Sequence, residues 1–187
     1  MGRPKAWLPV RGRTMLEAVV GAIADGLGDP AAPILVVGAP GQDLPALAPP
    51  TRRIDDDVEG EGPLRGMAAG LGALEGSVDA AFVSSCDASL LRPAFVERML
   101  ALLGDHDIAV PVVGGLHHPL AAVYRIEVLP MVRDLLARKR RRPFFLFETC
   151  RTRVVTAADL KAVDPGLDSL RNINTPEEYE SLVRNPG

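Results

Sequence analysis

Residues 80–91, Ala80-Ala-Phe-Val-Ser-Ser-Cys-Asp-Ala-Ser-Leu-Leu91, carry the reading that decides the fold. A short apolar run ends there in a single carboxylate, Asp87. Runs of about four to eight mostly apolar residues read as strands buried on both faces, as in a parallel sheet covered by helices. An acidic residue at the carboxyl end of such a strand lies where open α/β sheets bind ligands. It can hold a divalent metal there against phosphate oxygens. The same aspartate could instead cap the helix that follows, a common place for short acidic side chains. Cys86, inside the run, reads as a small buried hydrophobe.

Outward from this strand, strand-like and helix-like patterns alternate almost throughout, which predicts an α/β fold: a Rossmann-like three-layer domain with a mostly parallel sheet. Thr14-Met-Leu-Glu17 has capping-box spacing, and Leu16, Val19, Val20 and Ile23 follow at helical intervals. Pro33 to Gly38 is a short apolar strand closed by glycine, and residues from about 42 to 50, rich in proline and alanine, form an irregular connection. Arg53-Ile-Asp-Asp-Asp57 is a short strand entering an acidic loop, and residues 64–74 form a small-residue helix. After the opening strand, Arg92-Pro93 starts a helix over residues 95–103, with proline at a tolerated first-turn position. Residues 107–113 and 120–124 are two further strands, adjacent across Gly114-Gly115. Residues 128–136 are helical, and Thr175-Pro-Glu-Glu178 has capping-box spacing before a final helix. No strand and no glycine-rich phosphate loop is predicted ahead of the first helix, where a nucleotide-binding domain normally carries both.

The chain has 187 residues, which suggests one domain spanning residues 1–187, long enough to bury roughly 70% of its unfolded surface. Its net charge of −3 gives no reason to expect nucleic acid as a partner. Two cysteines and three histidines lack any zinc-binding spacing. No signal peptide or membrane-length apolar stretch is present, so no membrane association is expected and the expected location is cytoplasmic.

Other residues carry candidate chemistry. Lys5 lies just ahead of the first helix, where a compact point charge can pair with phosphate, or simply remain solvated. Gly62-Pro-Leu-Arg-Gly66 follows the acidic cluster Asp55-Asp56-Asp57. It would allow close backbone approach to a ligand, or serve only as a proline-initiated helix start. Asn172-Ile-Asn-Thr-Pro176 offers two amides that could bond a polar heterocycle or order a turn. His117 and His118 are adjacent on a strand and point to opposite faces, which argues against chelation. Arg138 to Arg142 closes a helix, where positive charge complements the dipole and could also meet anionic ligands. No Ser-His-Asp order or reactive-cysteine context stands out.

Taken in order, Met1-Gly2-Arg-Pro-Lys5, Asp55-Asp56, Gly62-Pro-Leu-Arg-Gly66, Cys86-Asp87, His118-Pro119 and Asn172-Ile-Asn-Thr-Pro-Glu177 resemble the molybdenum cofactor guanylyltransferase family. The resemblance spans residues 1 to about 183 and implies an α/β nucleotidyltransferase domain. It implies a reaction in which the phosphate of molybdopterin attacks the α-phosphorus of GTP and pyrophosphate leaves, with Mg2+ as cofactor. Asp87 would hold the metal and Lys5 would neutralise the triphosphate. Asp55 or Asp56 would sit in the nucleotide pocket, lined by Gly62, Pro63, Leu64 and Gly66. Asn172, Asn174, His118 and Pro119 would lie at the pterin side. Recipient molybdoenzymes or their chaperones would be further partners.

This sequence departs from the family pattern in four places. The opening strand and Leu-Ala-Gly-Gly loop expected before Lys5 are not found ahead of Met1. Either Met1 is an internal methionine of a longer product, or a strand is lost from the sheet and leaves unpaired edges. Gly38 stands where a small polar residue is expected, Ser89 replaces a proline, and Arg65 replaces a small residue beside the nucleotide pocket. Two other readings fit the same motifs. One is a molybdenum cofactor cytidylyltransferase. The other is a non-catalytic molybdopterin-binding or delivery protein that has lost its phosphate loop.

Overall fold

A computed structural model of the chain describes residues 4–56 and 62–184. Asp57 and Met1-Gly2-Arg3, part of the motifs above, lie outside the described residues.

After a 3₁₀ turn over Lys5–Trp7 comes a miniature hairpin, β1 (Pro9–Val10) and β2 (Arg13–Thr14), where the sequence reading expected no strand. The intervening Arg11-Gly12 takes positive φ at both positions, 50° and 80°, and so closes a two-residue turn that hydrophobic patterning does not reveal. Helix α1 (Met15–Leu27) follows with its expected capping box: Thr14 Oγ1 accepts from Glu17 N, and the Glu17 carboxylate accepts from Thr14 N.

Strands β3 (Ile34–Gly38) and β4 (Thr51–Asp55) pair in parallel as a separate two-stranded sheet. Helix α2 (Pro63–Leu74) then leads to the opening strand, β5 (Ala80–Ser84). Helix α3 (Pro93–Leu103), β6 (Ile108–Val113), β7 (Leu116–His117) and β8 (Ala121–Arg125) come next. The β6–β7 hairpin turns on Gly114-Gly115, with φ of 58° and 78°, a conformation glycine adopts without steric cost. Helix α4 (Leu129–Ala137) is followed by short α5 (Phe144–Phe147), β9 (Thr152–Thr156), short α6 (Ala157–Leu160) and α7 (Pro176–Arg184). Strand β9 was not expected, although Thr152, Val154, Val155 and Thr156 are all β-branched.

The larger sheet has five strands in the order β5-β8-β6-β7, with β9 also pairing β6. β8 runs antiparallel to both neighbours and β7 antiparallel to β6, while β6 and β9 are parallel, so β5, β6 and β9 share one direction and β7 and β8 are reversed. Alternation along these strands builds three layers. Ile108, Val110, Ala122 and Tyr124 enter one core with Leu64, Leu71 and Leu129 from α2 and the start of α4. Their neighbours Ala109 and Val123 enter the opposite core with Phe95, Val96 and Met99 of α3 and Val19 of α1. The expected Rossmann-like α/β architecture is therefore present.

Strand β5 differs from expectation in one respect. Read as buried on both faces, it is only partly buried at every residue. The reason is its edge: it pairs with β8 on one side and, among the described residues, with no strand on the other. Cys86 is likewise exposed rather than buried, because β5 ends at Ser84 and the chain turns at that point.

A third apolar cluster ties the two ends of the described chain together. Leu8, Val10 and Met15 pack with Ile173 and Leu182, and Tyr179 Oη donates to Pro9 O at 2.8 Å. This seam carries the segment around Lys5 to the segment around Asn174.

Candidate active site

Asp87 lies three residues beyond β5, in the turn that leaves its carboxyl end. The next helix starts at Pro93 with Arg92 at its cap, so Asp87 does not cap it. Its carboxylate is instead the centre of a small polar cluster. Lys5 Nζ donates to Oδ2 at 2.9 Å, and Ser85 Oγ donates to Oδ1 at 2.6 Å. Lys5 also donates to Asn174 Oδ1 at 2.7 Å. The backbone closes the arrangement, since Ile173 N donates to Asp87 O at 3.0 Å.

Each member is held from behind. Asn174 sits in a loop whose N–H groups at 174 and 175 both donate to Glu178, and Glu178 N donates back to Thr175 Oγ1. That capping box, expected from the spacing, fixes the start of α7. The two backbone donors hold the Glu178 carboxyl below its usual range. Lys5 follows from the seam between residues 8–15 and 173–182.

Cys86 neighbours this cluster without joining it. Crowding protein atoms and then the Asp87 charge push its thiol pKa up, the opposite of an activated nucleophile.

The other sequence candidates fall into three groups. Asp55 and Asp56 separate in role. Asp55 is exposed and pairs with Arg53 at 2.8 Å, whereas Asp56 is half-buried and its carboxylate lies 3.6 Å from Arg65 Nε at the start of α2. Gly62 caps α2 with φ 82° and an extended ψ, and Pro63 follows at the first helical position. Leu64 is fully buried in the core, so only its backbone is available to a ligand there. Gly66 faces β3, where a Cβ would meet Val37 at 3.8 Å.

His118 and Pro119 form the bend between β7 and β8. Burial and then the neighbouring His117 lower the His118 pKa, which favours a neutral imidazole. Pro119 O accepts from the buried Tyr124 Oη at 2.8 Å. Asn172 is exposed, two residues from the Asn174 that meets Lys5. Thus Lys5, Asp87 and Asn174 are brought together, while Asp56 meets the start of α2 through Arg65 and residues 118–119 lie at the bend between β7 and β8. Sequence reasoning missed Ser85; its only signal is a hydroxyl two positions before the aspartate.

The donor set decides which metals suit it. Among the described residues no group of three or more His, Cys, Asp or Glu side chains could cage a metal. A single carboxylate with its side chain 15% exposed instead suits a hard divalent cation that keeps waters and takes most remaining ligands from phosphates.

A family model described as the MobA-like NTP transferase domain matches residues 1–153. The chain belongs to that family. A relative from Mycobacterium tuberculosis, described as a probable molybdenum cofactor guanylyltransferase, is 34% identical over 181 residues, covering 94% of this chain and 86% of the relative. A Mycobacterium avium relative of the same description is 33% identical over 189 residues, covering 98% of this chain and 89% of the relative. Among solved structures, molybdopterin-guanine dinucleotide biosynthesis protein A from Archaeoglobus fulgidus superposes with a TM-score of 0.76 at 18% identity, over 98% of this chain and 90% of that one. At such identity the superposition speaks for the fold, a nucleotidyltransferase fold. As a MobA-like NTP transferase, the chain is a transferase whose polar cluster lies at the carboxyl end of β5, the expected ligand side of an α/β sheet. No described helix is long and apolar enough to cross a membrane.

Proposed function

We propose that this chain, acting as a single nucleotidyltransferase domain, transfers GMP from GTP to molybdopterin, giving the guanine dinucleotide cofactor and pyrophosphate. The observation that carries the reading is the 2.9 Å pairing of Lys5 with Asp87 beyond β5, in a member of this transferase family. A phosphate oxygen of molybdopterin forms a bond to the α-phosphorus of GTP as the bond to the bridging oxygen of pyrophosphate breaks. No proton transfer to carbon and no covalent enzyme intermediate is required, so positioning and neutralisation of charge supply the acceleration.

In this reading Lys5 turns its ammonium from Asp87 onto triphosphate oxygens as GTP enters. Asn174 retains one end of that lysine and limits its swing. Ser85 fixes one oxygen of Asp87 and leaves the other to be claimed. Asp87 would hold Mg2+, whose chemistry is to offset the charge developing on the phosphate oxygens. Asp56, held toward α2 by Arg65, accepts N–H donors of the base, and the backbone N–H of Leu64 in the first turn of α2 faces the nucleotide. His118 and Asn172 lie toward the acceptor. The product passes to the enzymes that use the dinucleotide cofactor.

The test is incubation of the purified chain with GTP, Mg2+ and molybdopterin, with separation of the dinucleotide and assay of pyrophosphate. Equal amounts of both products are expected. Formation of the cytosine dinucleotide from CTP in preference would overturn the choice of nucleotide. Pterin binding with no GTP binding in calorimetry would replace catalysis with a delivery role.

A further inference from the structure

Ahead of the loop that carries Asn174, one carboxylate is wholly enclosed. Asp164 is 0% exposed, and among the described residues it is the one charged side chain so deeply buried. Two backbone N–H groups donate to it, from Asp168 at 3.1 Å and from Ser169 at 2.8 Å. Arg92 Nε lies 3.2 Å from the same carboxylate. A buried charge is costly unless it is paired and hydrogen-bonded, so residues 164–169 are folded around this one. None of these groups has a part in the reaction proposed above.

Arg92 links that centre to the active site. It stands at the cap of α3, where the turn containing Asp87 ends. Its guanidinium is forked: Nε faces Asp164, and Nη2 donates to Asp168 Oδ2 at 3.1 Å. Its backbone N–H donates to the buried Ser169 Oγ at 3.1 Å. At the start of the same turn, Ile173 N donates to Asp87 O at 3.0 Å. Residues 87–92 are thus gripped at both ends by residues 164–173. The next residue along is Asn174, which accepts from Lys5.

The gripping segment is itself held in an unfavourable shape. Leu167 takes φ 53°, a conformation uncommon outside glycine, and such backbone persists only where its surroundings enforce it. A Cβ on Gly166 would come within 2.9 Å of Asp168 Oδ2, so the turn is also tight against the carboxylate that Arg92 holds. Slackening the Arg92–Asp164 pair would let residues 167–174 draw away from Asp87. The nucleotide side is held separately, by Arg65 on Asp56.

We propose that Arg92 and Asp164 are positioning residues of the transferase site: their ion pair sets the spacing between Asp87 and Asn174, and so where Lys5 points. A misplacement of about 1 Å can cost about 10²-fold in rate, so a tie that touches no substrate still governs turnover. The kinetic consequence rests on the guanylyl transfer proposed above. The effect on Lys5 rests on geometry alone.

The test uses the full chain and three variants. Arg92→Ala removes the guanidinium. Arg92→Lys keeps a charge near Asp164 but cannot fork to Asp168, and Asp168→Asn weakens that second arm from the other side. Asp164 stays in place, because replacing so enclosed a group risks the fold. Lysine acetylation by limiting acetic anhydride is followed by mass spectrometry, with Lys139, on the exposed loop after α4, as internal reference for Lys5. Arg92→Ala is expected to raise the Lys5 to Lys139 labelling ratio about fivefold or more. In assays with GTP, molybdopterin and varied Mg2+, it is expected to lower kcat about tenfold and raise the Mg2+ needed for half-maximal rate severalfold, with the KM for GTP held within about twofold. The two milder variants should shift every readout in the same direction by less. An unchanged labelling ratio would overturn the proposal whether or not the chain makes the dinucleotide. Faster labelling with full kcat and an unchanged Mg2+ requirement would reduce the pair to a structural tie and overturn it, as would a rise confined to the KM for GTP. If the unsubstituted chain makes no dinucleotide while Arg92→Ala still exposes Lys5, the reaction assigned above fails and the placement of Lys5 by this pair stands.

Discussion

Lys5 and Asp87, 82 positions apart in sequence, meet at 2.9 Å, with Nζ on Oδ2 of the carboxylate. The lysine therefore stands where a cation bound to Asp87 would stand. Replacing it should separate metal binding from turnover. Lys5→Met is expected to strengthen Mn2+ or Mg2+ binding in the absence of nucleotide, because the carboxylate no longer has an internal cation. The same variant should lose guanylyl transfer by about 10²–10³-fold, the usual cost of removing one charge-stabilising group. Calorimetry with metal alone and steady-state kinetics check the two arms; weakened metal binding would refute the competition.

Asp87→Asn removes charge but keeps shape. It is expected to lower kcat by about 10²-fold or more while circular dichroism and melting remain near those of the parent, since the carboxylate lies in a turn outside both main cores. A variant retaining more than a tenth of activity would remove Asp87 from the chemistry.

Ser85 is a positioning residue, acting through Asp87 at 2.6 Å. Ser85→Ala leaves one oxygen of the carboxylate free to turn, and about tenfold loss in kcat is expected, in line with about 1.5 kcal/mol for a hydrogen bond to a charged group. Ser85→Thr should restore most of it. Equal loss from both variants would point to packing instead.

Arg65, in the first turn of α2, lies 3.6 Å from Asp56. Arg65→Ala is expected to raise the KM for GTP severalfold with little change in kcat, because Asp56 loses its support. A change confined to kcat would contradict that role.

The pH dependence of stability follows from carboxylates that accept donors in the folded state. Glu17 is lowered from an ordinary 4.5 chiefly by the Thr14 backbone N–H, and Glu178 from 4.5 by the N–H groups of residues 174 and 175. Asp107 is lowered from 3.8 chiefly by Arg151, and Asp159 from 3.8 chiefly by the Thr156 hydroxyl. A depressed folded pKa gives stability that is full above the unfolded value and lost as pH falls through the folded one. The melting temperature should therefore hold steady from pH 7 to 5 and fall below about 4.5. Thr14→Ala, which breaks one capping box, should cost about 1 kcal/mol, or roughly 2–4 °C, at neutral pH. Melting scans across pH check both.

Much of the fold was legible because burial imposes periodicity. The capping boxes at Thr14 and Thr175, the strand ending before Asp87 and the glycine hairpin at 114–115 each follow from local chemistry. Strand β9 and the hairpin at residues 9–14 were less legible. Among the described residues the first pairs only with a strand more than forty residues earlier, and the second rests on positive φ at Arg11. The site divided the same way. Lys5 and Asp87 were named from motif order, but Ser85 was not, since an ordinary serine gains meaning only from the atom its hydroxyl meets.

By itself, then, the sequence determined the α/β alternation, the caps and the order of the motifs, all of which depend on neighbours within a few residues. Only the tertiary structure decided that Lys5 reaches both Asp87 and Asn174, that Asp56 rather than Asp55 turns toward α2, and that Arg92 meets the buried Asp164. These are relations between distant segments. They are set by the packing of α1 and α3 on one side of the sheets and α2 on the other, and no local pattern encodes them.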